Sequence, residues 1–194
     1  MTPKPTSSGP IGSQGKPIPG IPSTDDTLTP FEKVQAFLNN IGPPQNQGFE
    51  SEILKANLTL VSATVTPTPS GPTSICVFSL LVTPSLCNRM GNLHGGATAL
   101  IVDVTTTLAL APIARPGFWQ YAGVSRTLSV TYLRPAPMGR RVRVVAEVVQ
   151  AGRTICTLKA RVEDEETGRL LSVAEHGKMM IDPPVEEGKE KAKL

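Results

Sequence analysis

One short segment, residues 86–103, contains most of the side chains that could do chemistry. It reads LCNRMGNLHGGATALIVD. His94, Gly95 and Gly96 stand at the start of a predicted helix, where the first N–H groups have no acceptor within the helix. The helix dipole favours negative charge at that end, and glycine lets a ligand approach the backbone closely. This junction is therefore suited to hold an oxyanion.

Two further polar side chains flank the junction. Asn88 lies six residues before His94, and its side-chain amide could supply a second donor to the same oxyanion. Asp103 lies nine residues after His94, about 2.5 turns further along a helix that is otherwise almost entirely apolar. Burying a lone carboxylate is costly unless the carboxylate is hydrogen-bonded or put to use. We therefore interpret Asp103 as a candidate general base.

The same residues allow other interpretations. The glycines could serve tight packing at a loop–helix junction, and Asp103 could be a satisfied carboxylate at a subunit contact. A nucleophilic pair formed by Cys87 and His94 is conceivable. Three cysteines without a CxxC pair predict neither a disulfide framework nor a zinc site, so we expect no metal and no cofactor. His176 has no partner at a suggestive spacing and is interpreted as structural.

The predicted elements place this segment inside one α+β domain. A short amphipathic helix is predicted over residues 31–41, and His94–Ala111 has the nearly uniform apolar composition of a buried helix. Strands are predicted over 57–66, 74–83, 121–133, 140–150, 153–164 and 169–181. The last four strands have short connections, which require antiparallel pairing. A long antiparallel sheet that covers one hydrophobic helix will curl around it, which is the hotdog fold.

Both ends of the chain have the composition of unfolded segments. Residues 1–30 contain twenty Pro, Gly, Ser or Thr residues and predict a flexible leader. Residues 182–194 contain two prolines and seven charged residues and predict a solvated tail. The folded domain is therefore predicted over residues 31–181.

The overall composition disfavours several classes of protein. Hydrophobic residues make up 39% of the chain and charged residues 18%, which is enough apolar material for a core. The longest apolar run ends at Asp103, so no membrane span is predicted. The net charge of +3 and the aromatic content of 4% do not suggest a nucleic-acid-binding protein. Few cysteines and no signal-peptide core favour a reducing, intracellular compartment.

Taken together, these motifs are similar to those of the PaaI-like hotdog acyl-CoA thioesterases, and most similar to their eukaryotic thioesterase-superfamily branch. The resemblance covers roughly residues 50–181. It rests on Asn88, Leu93–Gly96, Asp103, Gly123–Ser125, Val130–Ala136 and Gly152–Thr154.

The resemblance implies a role for each matching residue. The Gly95 N–H would bind the thioester carbonyl oxygen, with the Asn88 side chain as the second donor. Asp103 would activate the hydrolytic water, and Ser125 would help to hold that water. His94 would shape the loop and support the site instead of acting as the nucleophile. Because the family's sites form between subunits, we expect at least a homodimer, or a tetramer made of two dimers.

Coenzyme A carries phosphates, and one half of the chain offers cations for them. Between Arg115 and Arg153 the sequence contains seven arginines and a single acid, Glu147. Guanidinium groups at strand ends and turns could hold the 3′-phosphate and the pyrophosphate bidentately. The candidate CoA-binding residues are Gly96, Arg134, Arg140, Arg141 and Arg153. A solvated sheet face is the alternative for each arginine taken singly.

Two other functions compete with hydrolysis by activated water. A hotdog module could bind acyl-CoA without cleaving it. A hydratase-type hotdog enzyme would need a histidine about five residues after the aspartate, but position 108 is leucine. Within the hydrolase hypothesis, direct attack by Asp103 to give an anhydride stays open.

The final three residues suggest a location. Ala192, Lys193 and Leu194 have the small–basic–leucine form that is related to the Ser-Lys-Leu peroxisomal address. We therefore predict a peroxisomal protein whose tail binds an import receptor. The cytoplasm and, as the weaker option, the mitochondrion are the alternative locations. A mitochondrial presequence would call for arginines on a helix, but residues 1–30 contain no arginine and seven prolines.

Overall fold

The computed structural model describes residues 22–39 and 58–183. Most of the predicted leader and tail therefore lies outside the described residues. The same holds for Ala192, Lys193 and Leu194, so the peroxisomal address stays a prediction.

The described residues form two α-helices and six strands. The helices are α1 (Pro30–Asn39) and α2 (Gly95–Leu108). The strands are β1 (Leu58–Thr66), β2 (Thr73–Leu81), β3 (Val124–Tyr132), β4 (Arg141–Ala151), β5 (Ile155–Asp164) and β6 (Leu170–Met179). Each of these elements lies within a few residues of its predicted position.

All six strands form one antiparallel sheet in the order β1-β2-β4-β5-β6-β3. Most strands alternate between a buried inner face and an outer face, as a sheet with one covered side requires, whereas β3 is exposed or half-exposed along its whole length. On β5, for example, Cys156, Leu158, Ala160 and Val162 are buried and the residues between them are exposed. Helix α2 packs against this inner face, which confirms the predicted hotdog fold.

The start and end of α2 differ slightly from the prediction. His94 is the N-cap residue: its backbone is extended, and its Nδ1 atom accepts a hydrogen bond from the Gly96 N–H at 2.9 Å. The α-helix ends at Leu108, and a 3-10 turn over Ala111–Ile113 follows. Pro112 lies within that turn, where its missing N–H cannot continue the α-helical pattern.

The segment Gly95–Ile113 is long and apolar enough to cross a membrane by length and composition alone. The expectation of no spanning segment relied on uninterrupted apolar runs and did not anticipate this result. Most of the segment is buried inside the protein. The core helix of a sheet that curls around it must be apolar on most sides, which accounts for this composition.

The predicted domain end at residue 181 falls slightly short of the packed structure. The Asp182 carboxylate accepts hydrogen bonds from the backbone N–H groups of Gln120 and Tyr121, at 2.7 and 3.0 Å. Composition identified this region as a tail because it is rich in charge and proline. Composition could not show that the Asp182 carboxylate accepts hydrogen bonds from two backbone N–H groups of the loop before β3.

The turn between β5 and β6 is held by a buried ion pair. The Asp164 carboxylate accepts hydrogen bonds from Arg140 Nε and Nη2 at 3.1 and 3.0 Å. It also accepts hydrogen bonds from the N–H and the hydroxyl of Thr167, both at 2.8 Å. These bonds, that of Arg140 foremost, hold the pKa of the Asp164 carboxyl well below its usual range.

We expect Asp164→Asn to lower the thermal unfolding midpoint at neutral pH. The low pKa in the folded state means that the charged carboxylate stabilises the fold above the unfolded-state pKa of about 4. The contribution of the Asp164 charge to the stability of the fold is lost as the pH falls from about 4 through the folded-state pKa of this carboxyl. Thermal melts of both proteins from pH 7 to pH 2 should therefore converge at the acid end. A gap between the two midpoints that stays constant to pH 2 would contradict this assignment.

Candidate active site

The candidate residues form two groups at opposite ends of the inner face. Gly95 and Asp103 lie on the same helix, eight residues apart, which is about 12 Å along the axis. The N-terminal group consists of Asn88 and Gly95, and the carboxylate group consists of Asp103 and Ser125. One chain therefore does not bring the predicted oxyanion donors to the predicted base.

The N-terminal group presents two free donors. Asn88 Oδ1 accepts hydrogen bonds from the N–H groups of Met90 and Asn92, at 2.9 and 3.2 Å, which fixes the orientation of the side chain. Among the described residues, neither the Asn88 amide nitrogen nor the Gly95 N–H has an acceptor. Both residues line a pocket of about 440 Å³ at the start of α2. The pair is therefore placed to receive a carbonyl oxygen.

Local contacts explain why Gly95, and not Gly96, presents its N–H. The Gly96 N–H is already bound to His94 Nδ1, so it is not free for a ligand. The Tyr132 hydroxyl donates to the Gly95 carbonyl oxygen at 2.8 Å, and this bond anchors the first turn of α2 on β3. A Cβ at position 95 would lie 3.5 Å from the Tyr132 ring, which is ordinary van der Waals contact.

The carboxylate group is centred on Asp103. The Ser125 hydroxyl donates to Asp103 Oδ1 at 2.9 Å, which joins α2 to β3. The Asp103 side chain is 37% exposed, although it projects from a largely buried helix. It therefore combines a fixed orientation with access to solvent, as a general base needs.

Two residues of β6 complete this group: His176, which was interpreted from the sequence as structural, and Lys178. His176 Nε2 lies 3.5 Å from Asp103 Oδ1, and this nitrogen makes no hydrogen bond among the described residues. Lys178 Nζ donates to Thr107 Oγ1 at 2.8 Å. Polar side chains at alternate positions on the core face of a strand are the signal that could have identified them.

His176 is a neutral group at neutral pH. Its ring is buried, and its Nδ1 atom lies 2.7 Å from Thr106 Oγ1. The pKa of His176 is lowered to about 4, chiefly by burial and also by Lys178, while Asp103 opposes both effects. Burial likewise lowers the pKa of Lys178, again against the effect of Asp103. A neutral imidazole and a buried amine therefore lie near the Asp103 carboxylate.

The four candidate arginines differ in how far they are already engaged. Arg140 is paired with Asp164 and Glu166, and Arg141 is paired with Glu165. Arg134 donates to the Leu170 carbonyl and lines the 440 Å³ pocket. Arg153 is exposed in the turn between β4 and β5. Charge balance therefore favours Arg134 and Arg153 as phosphate ligands.

The remaining chemical alternatives find little support. The Cys87 thiol donates to the Thr83 carbonyl oxygen at 3.2 Å, and no hydrogen bond joins it to His94 among the described residues. Within the same residues, no group of three or more His, Cys, Asp or Glu side chains is placed to hold a metal ion.

The chain resembles known proteins over the region that contains both groups. The family model described as "Thioesterase superfamily" matches residues 90–171. Acyl-coenzyme A thioesterase 13 of Mus musculus is 33% identical over 91 residues, which are 47% of this chain and 62% of that protein. Acyl-coenzyme A thioesterase 13 of Homo sapiens is 30% identical over 132 residues, which are 66% of this chain and 91% of that protein.

Solved structures show the same likeness in three dimensions. Zebrafish thioesterase superfamily member 2 is 25% identical with a TM-score of 0.62, over 79% of this chain and 99% of that one. Thioesterase superfamily member 2 from Mus musculus is 28% identical with a TM-score of 0.55, over 66% of this chain and 85% of that one. A human relative matched along 91% of its length establishes the family, and the chain belongs to the thioesterase superfamily as a hotdog-fold thioester hydrolase.

Proposed function

We propose that the protein hydrolyses acyl-CoA thioesters to free acid and CoA, with Asp103 activating the water and Gly95 N–H and Asn88 binding the thioester oxygen. The observation that carries this proposal is the Asp103 carboxylate, which Ser125 orients and which keeps access to solvent. The mouse and human relatives are both acyl-coenzyme A thioesterases, which supports the substrate class.

The geometry accommodates a simple sequence of steps. Ser125 and His176 both lie at Asp103 Oδ1, which leaves Oδ2 to take a proton from water. The water oxygen bonds to the thioester carbon, and the two free donors stabilise the resulting oxyanion, an effect typically worth about 3–4 kcal/mol per donor. Collapse breaks the C–S bond and expels the CoA thiolate. A thiolate is a good leaving group, so a strong general acid is not required.

Because one chain separates donors from base, the proposal includes a second copy. Among the strands of the described residues, β3 lies at an edge of the sheet and pairs with β6 alone. Its residues are exposed or half-exposed, and Val124, Leu128, Val130 and Tyr132 present apolar surface beside α2. A long edge strand without proline is a ready template for another strand. We propose that β3 of a second copy pairs with it.

A two-fold axis at the strand centre, Leu128, would join the two groups. Antiparallel pairing about that residue places Ser125 opposite the partner's Thr131. The partner's Tyr132 and Gly95 then lie beside Asp103 of the first copy. Each dimer would hold two sites, each with its base from one chain and its oxyanion donors from the other.

Asp103→Asn should lower kcat for a fatty acyl-CoA by about 10²- to 10⁴-fold, the usual contribution of a general base. The amide keeps the size of the side chain but cannot take the proton from water. Thiol release gives the rate, and sedimentation shows whether the assembly is intact. Asp26→Asn, which changes a carboxylate exposed near α1, is the matched control. Undiminished hydrolysis by Asp103→Asn would remove the mechanism, and saturable binding without thiol release by the wild type would favour the non-catalytic module.

Leu128→Lys should dissociate the dimer and abolish turnover together, because it brings two ammonium groups to the proposed axis. Val61→Lys makes the same change on the opposite edge strand, β1, where we expect no effect on assembly. Sedimentation velocity and thiol release measure the two outcomes. An active monomer, or dissociation by Val61→Lys alone, would show that the site does not form across β3.

A further inference from the structure

Lys178 is a buried amine that is connected to the backbone of Asp103 by two hydrogen bonds. It is 3% exposed and lies on the inner face of β6. Its Nζ atom donates to Thr107 Oγ1 at 2.8 Å, and Thr107 Oγ1 donates to the Asp103 carbonyl oxygen at 2.7 Å. The lysine therefore contacts the helix at Thr107, whose hydroxyl is bonded to the backbone of the residue that carries the carboxylate.

The groups around Lys178 leave Asp103 as its only anionic partner among them. Cys156 and Ser125 lie opposite Lys178 on β5 and β3. Burial raises the pKa of the Cys156 thiol to about 11, so the thiol is neutral. His176, two residues before Lys178, is neutral as well because burial lowers its pKa to about 4. From α2, Asp103 is the titratable group that faces the amine.

A purely structural role would not call for an amine at this position. A buried ammonium is costly, and an unbranched apolar side chain of the same length would fill the same space. A cation close to Asp103 offsets the negative charge of that carboxylate, and it also opposes protonation of His176. The positive charge of this group therefore lies on the lysine, near the carboxylate that the proposed chemistry needs.

We propose that Lys178 is a positioning residue for the hydrolysis: its ammonium, held by Thr107, balances the charge of Asp103 and fixes that residue on the helix. This inference rests on the proposed function, since it assigns the lysine a task in the same reaction. Lys178 touches neither the substrate nor the water in this arrangement and acts only through Asp103.

The first test is Lys178→Met, a neutral side chain of similar length. We expect kcat for an acyl-CoA to fall by about tenfold or more, as for the loss of a hydrogen-bonded charge, with little change in KM. The pH–rate profile should also change, because the positive charge near the carboxylate is gone. Lys159→Met makes the same change on the exposed outer face of β5 and should leave both quantities unchanged.

A pair of substitutions at position 107 tests the connection while the lysine remains. Thr107→Val keeps the branched shape but removes the hydroxyl, and we expect a lower kcat. Thr107→Ser restores the hydroxyl and should restore kcat. If Lys178→Met does not fold, the comparison of Thr107→Val with Thr107→Ser tests the proposed role of Lys178. Equal kcat values for Thr107→Val, Thr107→Ser and the wild type would overturn the proposal.

A titration of His176 by NMR separates this inference from the proposed function. In Lys178→Met the pKa of His176 should rise from about 4, because one of the two effects that lower it is gone. It should stay below its ordinary value, because burial remains. If the wild type releases no thiol from any acyl-CoA, the proposed function fails, and this titration still measures the charge coupling. An unmoved His176 pKa, or a Lys178→Met enzyme with wild-type kcat and pH profile, would overturn the role of Lys178.

Discussion

The structure depends on how one carboxylate is accommodated in an apolar helix. Helix α2 must be apolar because the sheet curls around it, yet Asp103 projects from its middle. Three elements meet this requirement together: β3 supplies the Ser125 hydroxyl, β6 supplies His176, and α2 itself supplies Thr107, which links Lys178 to the helix backbone. The hydroxyls of the helix threonines bond to carbonyl oxygens one turn earlier, so they add polarity without unsatisfied groups.

The ionisation states follow from the same burial. An imidazole and an amine that were both charged beside one another inside the sheet would repel, and both would lose hydration. The imidazole therefore stays neutral, while the amine has the carboxylate as its counter-ion. One negative and one positive group thus share a site that is half open to solvent. Because the charges of Asp103 and Lys178 are opposite, the helix carries a charged side chain at its middle without a large net charge in the core.

The sequence predicted the architecture well because the architecture depends on local patterns. Runs of β-forming residues between turn signals, with clear alternation on β4, identified all six strands within a few residues, and the uniform apolar composition of α2 identified the core helix. The two glycines and Asp103 were recognisable for the same reason, since helix starts and buried charges are local features. His176 was not recognisable as part of this group, because its contact with Asp103 joins residues far apart in the chain. The packing of α2 against β6 brings that pair together.

The arginines show the same limit of prediction from the sequence, which is that it does not identify contacts between distant residues. Four arginines were grouped by position as phosphate ligands, but cross-strand pairing gives Arg140 and Arg141 acidic partners from the turn after β5. A single sequence shows the cations and the acids but not which of them meet. The pairing also has a role of its own, because it satisfies a carboxylate buried at the end of β5.

The order of the strands has a consequence for how the protein matures. Strand β3 precedes β4 in the chain, yet it joins the sheet only through β6, the final strand. During synthesis β3 must therefore wait, unpaired, while about forty further residues emerge from the ribosome. Ser125 cannot meet Asp103 in its final geometry before that moment. A nascent chain that stops short of β6 would leave β3 and β5 without the strand that joins them, and Asp103 would lack its neighbours His176 and Lys178. The last strand is therefore the one that completes both the sheet and the surroundings of this carboxylate.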